Sequence, residues 1–126
     1  MSDRHHLQVD GEWDAIQDNR FVAHFNIKFT GGIHSDGGLE IEGGKRCSHS
    51  NGTVTSLQAQ GHVLRDFFDF TVTWDNGTEG HYHGFVRRTG DEVGIIKGDT
   101  EDNFHPGSQS GWHSSRRFSL PILLDV

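Results

Sequence analysis

Ten histidines in a chain of 126 residues raise the first chemical question, because imidazole binds metals and titrates near neutrality. His81-Tyr82-His83 is the spacing with a mechanism, since residues i and i+2 of a strand project to one side and two imidazoles there need only a third ligand to hold an ion. A suitably placed Glu and a later His would complete such a set, and Glu92, across the next turn, does not supply it. The plainer reading is a polar face opposite a core Tyr, and no metal is assigned. Tyr82 is the single tyrosine: either a buried phenol bonded to a backbone carbonyl, or, if the chain is an enzyme, the residue that orients or protonates a substrate. Asp99, Glu101, Asp102 and His105 fall close together, and this reads as a solvated loop rather than a calcium site. Cys47 follows Lys45 and Arg46, which would lower its pKa, but no base accompanies it. G-x-S-x-G, P-loop, C-x-x-C and H-E-x-x-H motifs are absent, and no cofactor is called for.

The elements that must position these residues are strands. Phe67 to Trp74 is the strongest, with Phe68, Phe70, Val72 and Trp74 on one face and Phe67, Asp69, Thr71 and Thr73 on the other. Phe21, Ala23, Phe25, Ile27 and Phe29 alternate with polar or exposed neighbours in a second clear strand. A lead-in to about Val9 looks frayed, and Gly11-Glu12-Trp13 opens the first strand. Short strands are expected around Leu39 and Ile41 and over Thr53 to Leu57, the latter weaker because its apolar residues do not alternate. Gly61 to Asp66 has no assignable state. Asp75-Asn76-Gly77 joins the Phe67 strand to His81 through Val86, and Thr89-Gly90-Asp91 turns into Glu92 through Lys97. Gly98 to Gly111 is the longest loop, and the last strand runs from Trp112 to Phe118, with Pro121 limiting pairing beyond it. Asn51-Gly52 and Asn76-Gly77, although each precedes a Thr, are better read as type I′ turns than as glycosylation acceptors.

That pattern predicts an all-β chain, one domain over residues 1–126, built as an eight-stranded antiparallel up-and-down barrel whose interior is filled or holds one ligand. Nine Phe and three Trp carry an apolar fraction of only 32%, and seventeen Gly against two Pro suit many tight turns. A formal charge of −7 disfavours nucleic acid and anionic membrane as partners. Arg87-Arg88 and Arg116-Arg117 read as solvated edges. The lone cysteine permits no internal disulfide, and no apolar run suggests a leader or a span; a cytoplasmic protein is expected, a secreted mature form being compatible.

The order of landmarks resembles the avidin and streptavidin family and, more loosely, the calycin group that includes lipocalins. Gly11-Glu12-Trp13 matches the calycin G-x-W feature, Phe68 through Trp74 resembles the family's fifth strand, and Gly111-Trp112-His113-Ser114 resembles the segment whose Trp reaches a neighbouring subunit's pocket. The resemblance implies that Trp74 walls a ligand pocket, that Tyr82 faces inward with it, and that His81 and His83 face outward. It also places Ala15 and Asn19 where the family presents polar contacts to biotin, Gly80 where a hydroxyl stands, and Gly94 near the strand-seven Trp. Missing donors and acceptors in a site built for a polar ring weaken its binding, so the fold is expected without the ligand.

Three functions follow as expectations. The first is binding of a small, largely apolar or aromatic ligand inside the barrel, with Trp13, Phe25, Phe70, Trp74, Tyr82 and Trp112 as lining candidates; the same aromatics would equally serve to fill it. The second is a small cyclase or isomerase of a natural-product intermediate, working largely by positioning with Tyr82 as the polarising group. The third is a lectin or assembly subunit acting through its outer surface. An exposed Trp112 beside Phe118 and the tail Leu120, Ile122, Leu123 and Leu124 would also predict a homo-oligomer, a dimer before a tetramer.

Overall fold

The computed structural model describes residues 6–88 and 93–119. The expected turn at Thr89-Gly90-Asp91, Glu92 and the tail from Leu120 onward lie outside them. Among the described residues there is no helix; ten strands form one antiparallel sheet. They are β1 (Gly11–Gln17), β2 (Val22–Ile33), β3 (Leu39–Glu42), β4 (Ser48–His49), β5 (Val54–Leu64), β6 (Phe67–Trp74), β7 (Glu79–Arg88), β8 (Val93–Asp102), β9 (Gln109–Ser114) and β10 (Phe118–Ser119). The sheet closes because β1 pairs with β2 on one side and β9 on the other. The ring has eight positions: β3 and β4 share the third end to end, each pairing with both β2 and β5, and β10 lies along β8 beyond the end of β9. The protein is therefore a closed eight-stranded up-and-down barrel.

Alternation sorts the side chains. Along β6, Phe68, Phe70, Val72 and Trp74 are buried while their neighbours are half-exposed. Trp13 sits at the hub of the interior, edge-on to Phe25, Phe68 and Phe118 at centroid distances of 5.1, 5.4 and 4.9 Å and stacked on Trp112 at 6.3 Å. Aromatic pairs of this kind add about 0.5–1.5 kcal/mol beyond the area they bury. Few but large rings can thus fill a barrel whose overall composition is polar. On inward-facing Gly98 a Cβ would collide with the His83 carbonyl across the ladder, so the strands approach there in a way only glycine permits.

Several expectations change in the structure. The unassigned Gly61 to Leu64 stretch belongs to β5, which pairs with β6 as far as Leu64↔Phe67 before Arg65 turns the chain at φ 57. The faulty alternation before it has a physical cause: the register shifts between Ser56 and Gln58, so one extra residue bulges out and both Ser56 and Ala59 stay inward while Leu57 is exposed. Asn76-Gly77 is not a type I′ turn. Only Gly77 has positive φ, at 89, and Trp74 N–H bonds to Thr78 O at 2.9 Å, so Asp75-Asn76-Gly77 is a three-residue hairpin loop. Near Asn51 the left-handed residues are Ser50, Asn51 and Gly52, and the turn bonded from Gly52 N–H to His49 O has Ser50 and Asn51 at its centre. The long loop shrinks to residues 103–108, since β8 continues to Asp102 and β9 begins at Gln109.

The lead-in is not frayed from His6 onward. Leu7 and Val9 are fully buried in the core, Leu7 N–H bonds to Arg65 O at 2.9 Å, and His6 Nδ1 accepts the Arg65 N–H at 2.8 Å. Trp13 Nε1–H donates to Val9 O at 2.9 Å, and Arg116 reaches Asp10 O at 2.9 Å, so this arginine is a clamp rather than a solvated edge. Two apolar residues with alternate polar ones were too short a run to read as structure, but they plug one end of the barrel. Leu7→Ala is expected to lower the unfolding free energy by about 2–4 kcal/mol, measured by urea denaturation; a free lead-in would show no change.

Candidate functional site

The other end is open. A cavity of about 420 Å³ lies at the mouth, within the range of small-molecule sites. It is bounded by the end of β1 and the following turn (Gln17, Asn19, Phe21), by His49 on β4, by Trp74 and the hairpin after it, by Glu79, Gly80 and Tyr82 on β7, by Thr100, Glu101 and Asp102 on β8, and by the 103–108 loop and start of β9. Up-and-down order brings these strand ends together.

Tyr82 is the floor. Below it, its ring meets Phe25 at 5.0 Å and Trp112 at 5.7 Å, both edge-on; above it, the phenol bonds to Gln17 Oε1 at 3.3 Å and leans on the Thr100 hydroxyl. Burial pushes its pKa well above the ordinary value, so near neutrality it stays protonated and acts only as a hydrogen-bonding group. One wall is aromatic: His49 stands edge-on to Trp74 at 4.6 Å and tilts against Phe21 at 4.7 Å. Gly80 leaves room for the two large rings, since a Cβ there would lie 3.0 Å from Tyr82 Cε1 and 3.5 Å from Trp74 Nε1.

The tryptophans differ in a telling way. Trp13 and Trp112 both spend their indole N–H inside the protein, on Val9 O and Asp99 O. Trp74 is 3% exposed and lines the cavity, yet its Nε1–H has no protein acceptor among the described residues. The ring is packed, but this N–H keeps access to the cavity, since among the described residues Arg46 Nε is the one buried side-chain nitrogen or oxygen without a partner; a group in the cavity can therefore accept from it. The rim adds negative charge through Glu79, Glu101 and Asp102, with no Lys or Arg lining the cavity. Burial would raise the Asp102 pKa, but the N–H groups of Phe104 and Glu79 and the His105 ring, with its Nδ1 at 2.7 Å, outweigh it and hold the carboxyl below its usual range.

Of the lining candidates from sequence, Trp74 and Tyr82 border the cavity, whereas Trp13, Phe25, Phe70 and Trp112 lie in the filled core beneath it. Trp112 is 1% exposed within its own barrel, so the exposed indole that motivated an oligomer is not there; the other half of that argument, the tail, is outside the described residues. Asn19 and Gly80 reach the cavity, Ala15 is buried without a polar group to offer, and Gly94 pairs with Phe118 far from the mouth, where Thr100 is the inward residue of β8 instead. His81 and His83 do face outward, their rings 5.0 Å apart, with His81 on Asp69 at 3.2 Å. Cys47 is buried, and burial raises its pKa despite Arg46 beside it, so the basic pair does not activate the thiol. Sequence reading missed Phe21, His49 and Thr100. Phe21 was legible only as the start of a strand, Thr100 fell in the expected long loop, and His49 carried no signal at all. Comparison with protein-family models, curated proteins and solved structures gives no match.

Burial lowers the His49 pKa below the ordinary 6.5, the Asp75 charge only partly opposing it. Its neutral form is thus favoured by folding. That contribution to stability is fully present above the unfolded-state pKa and is lost as pH falls through the lower folded-state value. An NMR titration of the imidazole carbon-bound protons should show His49 titrating below 6.5 and His24 above it; at His24, burial acts downward but the hydrogen bonds that the Asp14 and Glu12 carboxylates accept from the ring prevail.

Proposed function

We propose that the barrel binds a small molecule in the cavity at its mouth. The observation that carries this reading is the Trp74 indole N–H, which opens into the cavity without a protein acceptor while the other two indoles are satisfied internally. The ligand would lay a flat, largely apolar ring along Phe21, His49 and Trp74, offer an acceptor to Trp74 Nε1–H, and turn a donor-bearing or cationic end toward Glu79, Glu101 and Asp102. Such division between apolar walls and a few placed polar groups is characteristic of small-molecule sites.

A cyclase or isomerase is the second reading, favoured by a neutral His49 and a protonated Tyr82 bordering the same cavity. It ranks second because the His49 ring bonds to Ser50 Oγ, and the phenol to Gln17 and Thr100, rather than to one another as a prepared proton-transfer pair. Kinship with the avidin family is likewise our reading: the closed ring and the Trp74 wall support it.

Screening a fragment library by tryptophan fluorescence separates the cases. Ligands in the mouth should quench Trp74 alone, so the response should vanish in Trp74→Phe while emission from Trp13 and Trp112 persists. A library that leaves Trp74 and His49 resonances unmoved would sink the proposal. Biotin itself is expected to bind weakly or not at all, since Ala15 and Gly80 offer it no side-chain contacts; nanomolar binding by calorimetry would reverse that view.

A further inference from the structure

At the plugged end of the barrel, far from the mouth, three ligand-type side chains meet that no sequence motif announced. His34 and Asp36 sit in the turn between β2 and β3, and His62 projects from β5 beside them. His34 Nδ1 lies 3.0 Å from Asp36 Oδ1, His62 Nε2 lies 3.2 Å from Asp36 Oδ2, and all three ligand atoms fall within 4.8 Å of one another. Other surface imidazoles also meet carboxylates, His24 two of them and His81 and His105 one each, but in each case a single imidazole is involved. Only here, among the described residues, do two imidazoles converge on one carboxylate.

The turn is built to present them. His34 N–H bonds to Gly38 O at 2.9 Å, Gly37 N–H to His34 O at 2.8 Å, and Gly38 N–H to Asp36 Oδ1 at 2.9 Å, with Gly37 at φ 93 making the tight return possible. Asp36 is thereby oriented before any ion arrives, and the Gly38 N–H, aided by the two imidazoles, holds its carboxyl below the usual range. The outer face next to the site is acidic: Glu40 on β3 and Asp69 on β6 stand directly across from His62 in the two ladders.

We propose that His34, Asp36 and His62 bind one divalent first-row transition ion of the zinc type, with water completing the shell. Two nitrogens and one carboxylate oxygen favour such a borderline ion over calcium or magnesium, which take oxygen. Each nitrogen faces its own carboxylate oxygen, at 3.0 and 3.2 Å, and with one ligand atom per residue the three lie within 4.8 Å of one another, so they must draw in toward the tetrahedral edge of about 3.3 Å that zinc bonds of 2.0–2.1 Å set. The two rings stack in parallel at 3.7 Å, so binding requires them to splay until both lone pairs converge. His34, its side chain 35% exposed against 14% for His62, is the ring with room to move. Once bound, the ion would tie the β2–β3 turn to β5 and brace the plugged end.

The test uses the full chain after treatment with a chelator, titrated with Zn²⁺ by calorimetry and by NMR of the imidazoles. One equivalent should bind, moving the His34 and His62 ring resonances. His62→Gln and Asp36→Asn, the latter keeping an acceptor for Gly38 N–H, should each weaken binding at least about tenfold, the loss that even an outer partner of a metal ligand causes. His81→Gln, which removes the competing outward pair with His83, should bind like the parent. No uptake by the parent, uptake unchanged in both site variants, or ring shifts at His81 and His83 instead would overturn the proposal. If a site variant fails to fold by circular dichroism, the resonances moved in the parent decide alone. The result is independent of ligand binding at the mouth.

Discussion

Everything in this protein depends on one narrow seam. A sheet becomes a barrel only if its first strand meets its last, and here β1 and β9 share just three residue pairs, Ala15↔Ser114, Ile16↔His113 and Gln17↔Trp112. Bonds outside the regular ladder extend it: Ser115 exchanges bonds with Asp14 through N–H and hydroxyl at 2.8 Å each, and Asp18 N–H reaches Gly111 O at 2.9 Å. Ser114 Oγ accepts the buried Ile96 N–H and donates to Arg116 O, which satisfies β8 where β9 leaves it and lets the chain bend toward β10. Trp13 and Trp112 stack across this seam, so closing the ring and packing the core are one event. The closure pairs the two ends of the sheet with each other, which is how barrels avoid edge-to-edge association.

Closure also decides where a ligand can go. The rings around Trp13 occupy the middle, and residues 6–10 bring Leu7 and Val9 into the core at one end. The cavity lies where the aromatic packing stops, above Tyr82. The same phenol that caps the core therefore floors the cavity, and its bonds to Gln17 and Thr100 couple the two. Trp74, last residue of the strongest strand, stands at this boundary with its ring packed and its N–H toward the void.

On the outside, antiparallel register creates an order that is invisible along the chain. Glu40, His62, Asp69, His83 and Asp99 stand directly opposite one another across five successive strands, acid and imidazole alternating. Directly opposite side chains across a ladder are close enough to interact. The abundance of histidine thus has a structural setting: imidazoles are placed against carboxylates on the outer face, and at the β2–β3 turn two of them share one.

The sequence by itself determined the strand class, the approximate count, the inward face of β6 and that His81 and His83 share one side of their strand, because side-chain alternation is a local property of each strand; that this side is the outer one was implied only by the family resemblance. It also marked Trp74, last residue on that inward face, and Tyr82, the single tyrosine, on the next strand. Tertiary structure alone decided the rest. A bulge at Leu57 hid half of β5, since one extra residue defeats a period of two. The plug was too short to show periodicity and acquired meaning only from Arg65 and Trp13. Trp13, Phe25, Phe70 and Trp112 read the same as Trp74 on paper, and only packing separated filling from lining. His49 reaches the mouth, and His34, Asp36 and His62 reach one another, through registers set by hydrogen bonding between strands distant in sequence. Such contacts leave no trace in spacing along the chain, because the ladder that makes them is chosen by closure of the whole ring.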